Sequence, residues 1–182
     1  FIGQMMEPVE IIYKPKYEIK EKTWATNGMR GKREKNIVNS LYLEADLLYK
    51  HNLNLQEKYK LIKEKEARAE KYKTEDADII LVSYGTMSRV CRGVVDTFRG
   101  ENKKIGMIRP ITLWPFPEKE FKNNNNCKMY ISIEMSMGQM IDDIKLACEC
   151  KVPVKFFGKA GGIVPTSHEI IEHIKEFAGG IL

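Results

Sequence analysis

From residue 76 onward, the sequence alternates short apolar runs with stretches of helical period. Residues 78–84 form a continuous apolar run that ends at Gly85, a pattern typical of a strand buried on both faces. Residues 87–99 then repeat apolar side chains along one helical face: Met87, Val90, Cys91, Val94, Val95 and Phe98. This strand–helix order predicts an α/β domain with a mostly parallel sheet and helices on both faces.

Three further strands are predicted in the same domain, at residues 104–108, 128–134 and 154–157. The first of them is expected to end at Arg109, because Pro110 lacks an N–H donor and restricts the residue before it. Two helix starts carry the spacing of a capping box. These pairs are Ser136 with Gln139 and Thr166 with Glu169.

Residues 1–75 have a different character and are predicted to form an arm and a charged helix, separate from a domain at 76–182. Residues 1–50 are rich in proline, lysine and glutamate but retain many large apolar side chains. We therefore expect them to pack on another surface, either of this chain or of a partner. A helix is predicted over residues 54–73 with a narrow apolar stripe, formed by Leu55, Tyr59, Ile62, Ala69 and Tyr72.

Composition excludes several classes of protein. Of the 182 residues 43% are hydrophobic, which is too many for a disordered chain. No run of about 18 apolar residues occurs, so we expect no membrane partner. The net charge is +5, of which +4 belongs to residues 1–75, where opposite charges alternate. That pattern favours a solvated face over a nucleic-acid interface.

The absence of an initiator methionine suggests a piece of a longer chain.

The four cysteines, Cys91, Cys127, Cys148 and Cys150, contain no Cys-x-x-Cys pair. Cys91 and Cys148 lie on the apolar stripes of predicted helices and are interpreted as small core residues, and no metal site is predicted. The pair in Cys148-Glu149-Cys150 can in principle hold a metal, but one short pair is a weak signal. Without a secretory signal we expect reduced thiols and a cytoplasmic location.

In open α/β sheets, ligands bind beyond the carboxyl ends of the strands, where the strand order reverses. The candidate site therefore collects the residues that follow the four predicted strands. They are Tyr84, Gly85, Thr86, Arg89, Arg109, Glu134, Gly138, Gln139, Gly161 and Gly162.

Each part of this candidate site has a functional and a structural interpretation. Gly85 and Thr86 open a helix whose N–H groups suit an anion, with Arg89 nearby, but they also fit an ordinary helix start. Glu134 can act as a general base, or it can be stabilised by the following helix or by Arg109. The pair at residues 161–162 allows either a close ligand or a turn with positive φ.

No second carboxylate, histidine or serine completes a catalytic set with Glu134. His51, His168 and His173 lie on predicted helices or at their ends, where surface positions are expected. Neither a Gly-x-Gly-x-x-Gly nor a Walker motif is present. From the residues alone, the sequence indicates an α/β module without a complete active site of its own.

Several segments together resemble the alpha subunit of 2-oxoacid:ferredoxin oxidoreductases. Three segments carry the resemblance: Asp76 to Thr86, Arg109 to Pro117 and Glu134 to Met140. Segments 158–166, 24–28 and 36–41 continue the match, so that it covers nearly the whole chain.

The resemblance implies a three-layer α/β/α sandwich like the transketolase C-terminal domain. In that fold, strand 78–84 lies beside strand 128–134, with strands 104–108 and 154–157 outside them. The point where strand order reverses then falls between Gly85-Thr86 and Gly138-Gln139.

The resemblance also implies an enzyme that decarboxylates a 2-oxo acid to an acyl-coenzyme A and reduces ferredoxin. Such an enzyme uses thiamine diphosphate, magnesium, iron–sulfur clusters and coenzyme A, none of which this chain is expected to bind. We expect no catalytic residue here and a role in assembly with other subunits, with a contact to coenzyme A or substrate near the crevice left open. The branched-chain (2-oxoisovalerate) type of enzyme is favoured, with pyruvate and 2-oxoglutarate as the alternative substrates. The alternatives are a stand-alone module that binds an anion or small ligand, and a purely structural oligomer.

Overall fold

The computed structural model of the protein describes residues 10–13, 21–29, 31–37, 39–122 and 124–182. The chain divides into two compact units, Phe1–Gln56 and Glu57–Leu182. The predicted boundary at residues 75 and 76 stays a prediction, although the second unit begins well before it. Within the described part, no helix is both long and apolar enough to cross a membrane.

The first unit contains a turn and the beginning of a long helix, α1 (Ala45–Glu66), none of whose residues is buried. Arg33 ties the turn together by donating from Nη2 to the Ala25 carbonyl at 2.8 Å. Most of the large apolar side chains predicted to pack on a surface are exposed, by 65–88% of their area. They are Ile11, Ile12, Tyr13, Trp24, Leu41 and Leu43. Tyr17 lies outside the described residues.

The second unit contains a five-stranded sheet in the order β1-β3-β2-β4-β5. The strands β2, β3, β4 and β5 are parallel, and β1 pairs with β3 in the antiparallel direction. Their bounds are β1 Ala69–Tyr72, β2 Ile79–Val82, β3 Ile105–Pro110, β4 Met129–Glu134 and β5 Val154–Gly158. The predicted order of the four parallel strands is confirmed.

Four helices follow the strands: α2 (Thr86–Gly100), the single turn α3 (Lys119–Lys122), α4 (Met140–Ala147) and α5 (Ser167–Ala178). Apolar side chains of α2 and α5 pack with one face of the sheet, and those of α3 and α4 pack with the other. Alternation along β2 divides the strand between the two cores, because Ile79 and Leu81 face one and Ile80 and Val82 the other. The predicted three-layer α/β/α sandwich is therefore confirmed.

Two predicted boundaries are wrong for the same reason. The helix expected at 54–73 begins at Ala45 and ends at Glu66, and residues 69–72 form β1 instead. This added strand pairs with β3 as far as Pro110, so β3 continues past Arg109. Short apolar segments do not reveal their partner, and pairing with β3 overrides the weak helical stripe.

Candidate functional site

The order of strands reverses between β2 and β4, as predicted, because β3 lies on one side of β2 and β4 lies on the other. The carboxyl ends of the four parallel strands consequently meet at one end of the sheet, called here the carboxyl end. The turn from β2 to α2 contains Gly85, and the turn from β4 to α4 contains Gly138. These two turns flank the position where open α/β sheets bind ligands.

Glu134, the last residue of β4, is a buried charged group at the carboxyl end, with 1% of its area exposed. Ser132 Oγ donates to its Oε1 at 2.7 Å, and Ser136 Oγ donates to Oε2 at 2.8 Å. Three backbone N–H groups at the start of α4 also donate to the carboxylate, over 3.0–3.1 Å. They belong to Gln139, Met140 and Ile141.

This arrangement makes Glu134 the cap of α4. Burial raises the pKa of its carboxyl group, but the hydrogen bonds from Ser132, the backbone N–H groups and Ser136 outweigh burial and leave the pKa below its usual value. A carboxylate at a helix N-terminus is also favoured by the helix dipole. Glu134 is thus held ionised, with its oxygens occupied by donors, in the place where a ligand anion would otherwise bind α4.

The predicted capping box at α4 is wrong. Gln139 is the N-cap residue, but its side chain accepts no capping hydrogen bond. Ser136 Oγ instead donates to Glu134 and accepts the Gly138 N–H at 3.2 Å. Glu134 caps α4 in place of Ser136 and Gln139, because a carboxylate at the end of a strand reaches several N–H groups of the next turn. The sequence-based interpretation of Glu134 as stabilised by the following helix is confirmed.

The β4–α4 turn packs tightly against the end of β5. A Cβ on Gly158 would lie 2.7 Å from the Ser136 carbonyl oxygen and 2.8 Å from that of Glu134. Only glycine fits this contact between two backbones. Gly138 lies in the same turn with φ of 96° and faces the ring of Phe156. The turn is therefore fixed by packing as well as by hydrogen bonds.

The β2–α2 turn is built differently. Its N-cap residue, Gly85, has φ of 57°, and no side chain caps the first turn of α2. Ser88 Oγ donates back to the Gly85 carbonyl at 2.7 Å. Thr86 is half-buried, while Gly85 and Arg89 are exposed. Tyr84 precedes them and packs against the core on the α4 side of the sheet.

Arg109 does not pair with Glu134, contrary to one of the interpretations offered by the sequence. Its Nη1 donates to Glu70 Oε2 at 3.1 Å, and Arg92 Nη2 lies 3.3 Å from Glu70 Oε1. Arg92 also stands over the Tyr72 ring, 4.3 Å from its centroid. The strand β1 supplies both Glu70 and Tyr72, so the missed strand also explains the missed ion pair.

The turn after β5 contains Gly161 and Gly162, whose φ values are 73° and 79°. A Cβ on either would meet no heavy atom within 4 Å, so conformation alone accounts for both glycines. The predicted capping box of α5 is confirmed, with reciprocal bonds between Thr166 and Glu169. Lys159 and Thr166 together lower the pKa of Glu169 to about 2.

Two residues that organise this end of the molecule were not identified from the sequence. Ser132 precedes Glu134 by two positions on one strand and therefore shares its face, a signal that was available. Glu70 gave no such signal, because its position depends on the pairing of β1 with β3. His51 lies on α1, and His168 and His173 lie on α5. His173 contacts the Phe157 ring, with the centroids 4.1 Å apart.

The cysteines do not form a cluster of ligands. Cys91, Cys127 and Cys148 are buried, and Cys150 is exposed. Burial raises the pKa of the Cys91 thiol to about 12 and that of Cys127 to about 11. No group of three or more metal-ligating side chains occurs in the described ranges. The described thiols therefore do not fit an iron–sulfur cluster, which requires four thiolates in most proteins.

With this geometry established, the chain can be compared with known proteins. The family described as pyruvate:ferredoxin oxidoreductase core domain II matches residues 77–170. Ketoisovalerate oxidoreductase subunit VorB of Methanothermobacter marburgensis is 41% identical over 180 residues, which is 98% of this chain and 50% of that protein. The 2-oxoglutarate synthase subunit KorA of the same organism is 33% identical over 56% of this chain and 27% of its own length.

Solved structures show the same fold. The 2-oxoglutarate:ferredoxin oxidoreductase from Magnetococcus marinus, with 2-oxoglutarate, coenzyme A and succinyl-CoA bound, superposes with a TM-score of 0.60 at 22% identity, over 76% of this chain and 24% of that one. A split-gene transketolase superposes with a TM-score of 0.51 at 12% identity, over 60% of this chain and 40% of that one. This chain spans about half the length of the VorB relatives. The chain belongs to the pyruvate:ferredoxin oxidoreductase core domain II family, and thereby to the subunits of 2-oxoacid:ferredoxin oxidoreductases.

Proposed function

We propose that this chain is the assembly domain of an alpha subunit in a thiamine-diphosphate-dependent 2-oxoacid:ferredoxin oxidoreductase. The enzyme would oxidatively decarboxylate a 2-oxo acid to an acyl-coenzyme A, reduce ferredoxin and act in the cytoplasm. The similarity to a ketoisovalerate oxidoreductase subunit, VorB, supports 2-oxoisovalerate as the substrate. In this proposal the chain alone is inactive, and the cofactors are bound by other parts of the enzyme.

The observation that carries the proposal is an apolar rim at the carboxyl end of the sheet. The loops after β3, β4 and β5 expose large apolar side chains there. Trp114 is 58% exposed and Met137 is 78% exposed. The rim comprises Ile111, Leu113, Trp114, Met135, Met137 and Ile163. Large exposed apolar side chains grouped at one end of a sheet are typical of interaction surfaces.

The polar groups beneath the rim are already engaged with one another. The Glu134 carboxylate accepts five hydrogen bonds, and Arg109 pairs with Glu70. A general base needs an accessible oxygen within reach of its substrate. This organisation supports a structural role for Glu134 and a catalytic centre outside the described residues.

The occupant of the rim in this proposal is another part of the same oxidoreductase. VorB has about twice the length of this chain, so a subunit of its size contains a second half that can cover the surface. A partner subunit of the complex is the other source of such a surface. Ferredoxin would then interact with the assembled complex.

Assembly is tested with Trp114→Ser and Met137→Ser in the full-length subunit, coexpressed with its partner subunits. We expect each change to weaken the complex by about tenfold or more, as loss of an aromatic or apolar anchor does, while circular dichroism shows an unchanged fold. Leu146→Ser is the matched control, because Leu146 is 74% exposed but lies near the opposite end of α4. A complex that resists both rim variants would contradict the proposal.

Substrate choice is tested by assaying the coexpressed complex with a series of 2-oxo acids and a viologen electron acceptor. We expect kcat/KM to be highest with 2-oxoisovalerate. Equal or higher values with pyruvate or 2-oxoglutarate would contradict the branched-chain assignment without affecting the assembly proposal.

The second candidate function, an anion-binding module, depends on the uncapped start of α2. Calorimetric titration of the isolated chain with inorganic phosphate and with coenzyme A separates the two proposals. Binding that is weakened by Arg89→Ala would favour the module, and we expect no such binding. Titration with thiamine diphosphate is also expected to give no binding.

A further inference from the structure

Helix α4 ends in a Schellman motif that contains two cysteines. The Glu149 N–H donates to the Leu146 carbonyl at 3.1 Å, and the Cys150 N–H donates to the Lys145 carbonyl at 2.9 Å. These are the two backbone bonds that define the motif. Cys148 is the C-cap residue, so the two thiols occupy the cap position and the second position beyond it.

The motif brings the two sulfur atoms together. Cys148 Sγ and Cys150 Sγ each lie 3.5 Å from the same oxygen, the carbonyl of Lys145. The sulfurs are therefore separated by no more than twice that distance. A disulfide requires an S–S bond of about 2.05 Å, so both side chains must move before it can form.

The two thiols differ in access. Cys150 is exposed, whereas Cys148 is 5% exposed and packs in the core on the α4 side of the sheet. Cys148 also lines a surface cavity with Lys122, Glu149 and Lys151. Cys150 can therefore meet a reagent from solution, and Cys148 is placed to act second.

The backbone between the thiols is strained. Glu149 and Cys150 both have φ of 54°, a left-handed conformation that non-glycine residues avoid because of the steric clash of Cβ. Glu149 forms ion pairs with Lys122 and Lys151, which hold the turn in place. Strain of this kind accumulates at functional and switching sites.

We propose that Cys148 and Cys150 form a thiol–disulfide exchange site that takes low-molecular-weight disulfides. The Cys150 thiolate attacks one sulfur of the disulfide, forming a mixed disulfide and releasing one thiolate. The Cys148 sulfur, after losing its proton to solvent, then attacks Cys150 Sγ, forming the Cys148–Cys150 bond and releasing the second thiolate. Two protein thiols are oxidised, and one external disulfide is reduced to two thiols.

The experiment uses the full-length subunit in its assembled complex, with glutathione disulfide as the probe. After exposure, free thiols are alkylated and the protein is digested with trypsin. Cleavage after Lys145 and Lys151 releases a peptide with residues 146–151 that contains both cysteines and no other thiol. We expect this peptide to lose two hydrogens, at least about tenfold faster than buried Cys127 is modified.

Two variants identify the order of the steps. Cys148→Ser should retain glutathione on Cys150, because the resolving thiol is missing. Cys150→Ser should leave Cys148 unmodified. The buried Cys127 thiol becomes reactive only on unfolding, so its alkylation reports on the folding of both variants. If Cys148→Ser fails this check, Cys148→Ala is used in its place.

Three results would overturn the proposal. They are an unreactive peptide in the wild type, a stable glutathione adduct on Cys150 in the presence of Cys148, and a disulfide that joins Cys127 to Cys148. None of these outcomes depends on the substrate or the assembly of the enzyme, so the two proposals fail independently.

Discussion

The turns after β2 and β4 occupy corresponding positions on the two sides of the strand-order reversal, yet their helices begin in different ways. The β4–α4 turn carries its own anion, Glu134, which accepts five hydrogen bonds. The β2–α2 turn has a glycine at the N-cap and no side-chain cap. A helix start has N–H groups that require acceptors; a carboxylate accepts from three of them at α4, whereas no side chain caps the start of α2.

The two turns are therefore expected to differ in how much they contribute to stability and in whether they can accept an anion. The β4–α4 turn is complete without any ligand, and its carboxylate would repel a second anion. The β2–α2 turn has no such carboxylate, and an anion site at Gly85 and Thr86 stays one of two predictions for this turn, beside an ordinary helix start. Substitutions in the β4–α4 turn should therefore lower the free energy of unfolding more than comparable substitutions in the β2–α2 turn.

The largest effect is expected for Glu134→Gln. The amide keeps one acceptor oxygen but turns a donor group toward N–H and O–H donors, so unfolding free energy should fall by about 3 kcal/mol. Urea unfolding followed by circular dichroism measures the loss. Glu172→Gln on the exposed face of α5 is the control, with an expected change within about 0.5 kcal/mol. Equal effects of the two variants would remove the distinction between the turns.

A pair of glycine substitutions compares the turns directly. Gly158→Ala should cost about 2 kcal/mol, because its Cβ would collide with the backbone of the β4–α4 turn. Gly85→Ala should cost about 1 kcal/mol, because its φ is positive while its Cβ would meet nothing. Thermal and urea unfolding of both variants test the order, and a larger cost for Gly85→Ala would reverse the comparison.

The two serines next to the turns should differ by a smaller amount. Ser136→Ala removes a hydrogen bond to a buried carboxylate and should cost about 1.5 kcal/mol. Ser88→Ala removes a bond to the neutral Gly85 carbonyl and should cost about 0.5 kcal/mol. If both changes have the same effect on unfolding free energy, the charge of Glu134 contributes little to the turn.

The smallest measurable signal is the pH dependence of the difference between wild type and Glu134→Gln. Because folding lowers the pKa of Glu134, its contribution is complete above the unfolded value of about 4.3. It is lost as the pH falls through the lower, folded value. The difference in unfolding free energy should be constant from pH 7 to about 5 and decrease below about 4.3. A difference that grows on acidification would mean that the group is protonated in the folded protein.

Much of the fold could be predicted because the signals are local. The apolar run before Gly85 and the helical face from Met87 to Phe98 identify β2 and α2 from nearby residues alone. The capping box of Thr166 and Glu169 depends on two side chains in one turn, and the structure contains it. The order of the strands in the sheet, by contrast, was predicted from the family resemblance. The strand β1 was not predicted, because it forms only by pairing with β3.

The candidate site was predicted less completely. Position at strand ends correctly grouped Gly85 and Gly138 near the strand-order reversal, since parallel strands share one direction. The hydrogen-bond partners were harder. The Ser136–Gln139 spacing suggested a capping box, but the Glu134 carboxylate is charged, reaches three N–H groups and displaces both side chains from that role.

The sequence by itself determined that this chain forms an α/β domain, where most of its strands and helices lie, and which family it resembles. Those properties follow from the periodicity and chemistry of residues that are close together in the sequence. Only the tertiary structure decided that Glu134 caps α4, that Arg109 pairs with Glu70 across β1 and β3, and that two thiols share the Lys145 carbonyl. The Arg109–Glu70 pair joins antiparallel strands that are far apart in the sequence. The other two contacts depend on the backbone path through a turn, which selects one of the partners that the residue types leave open.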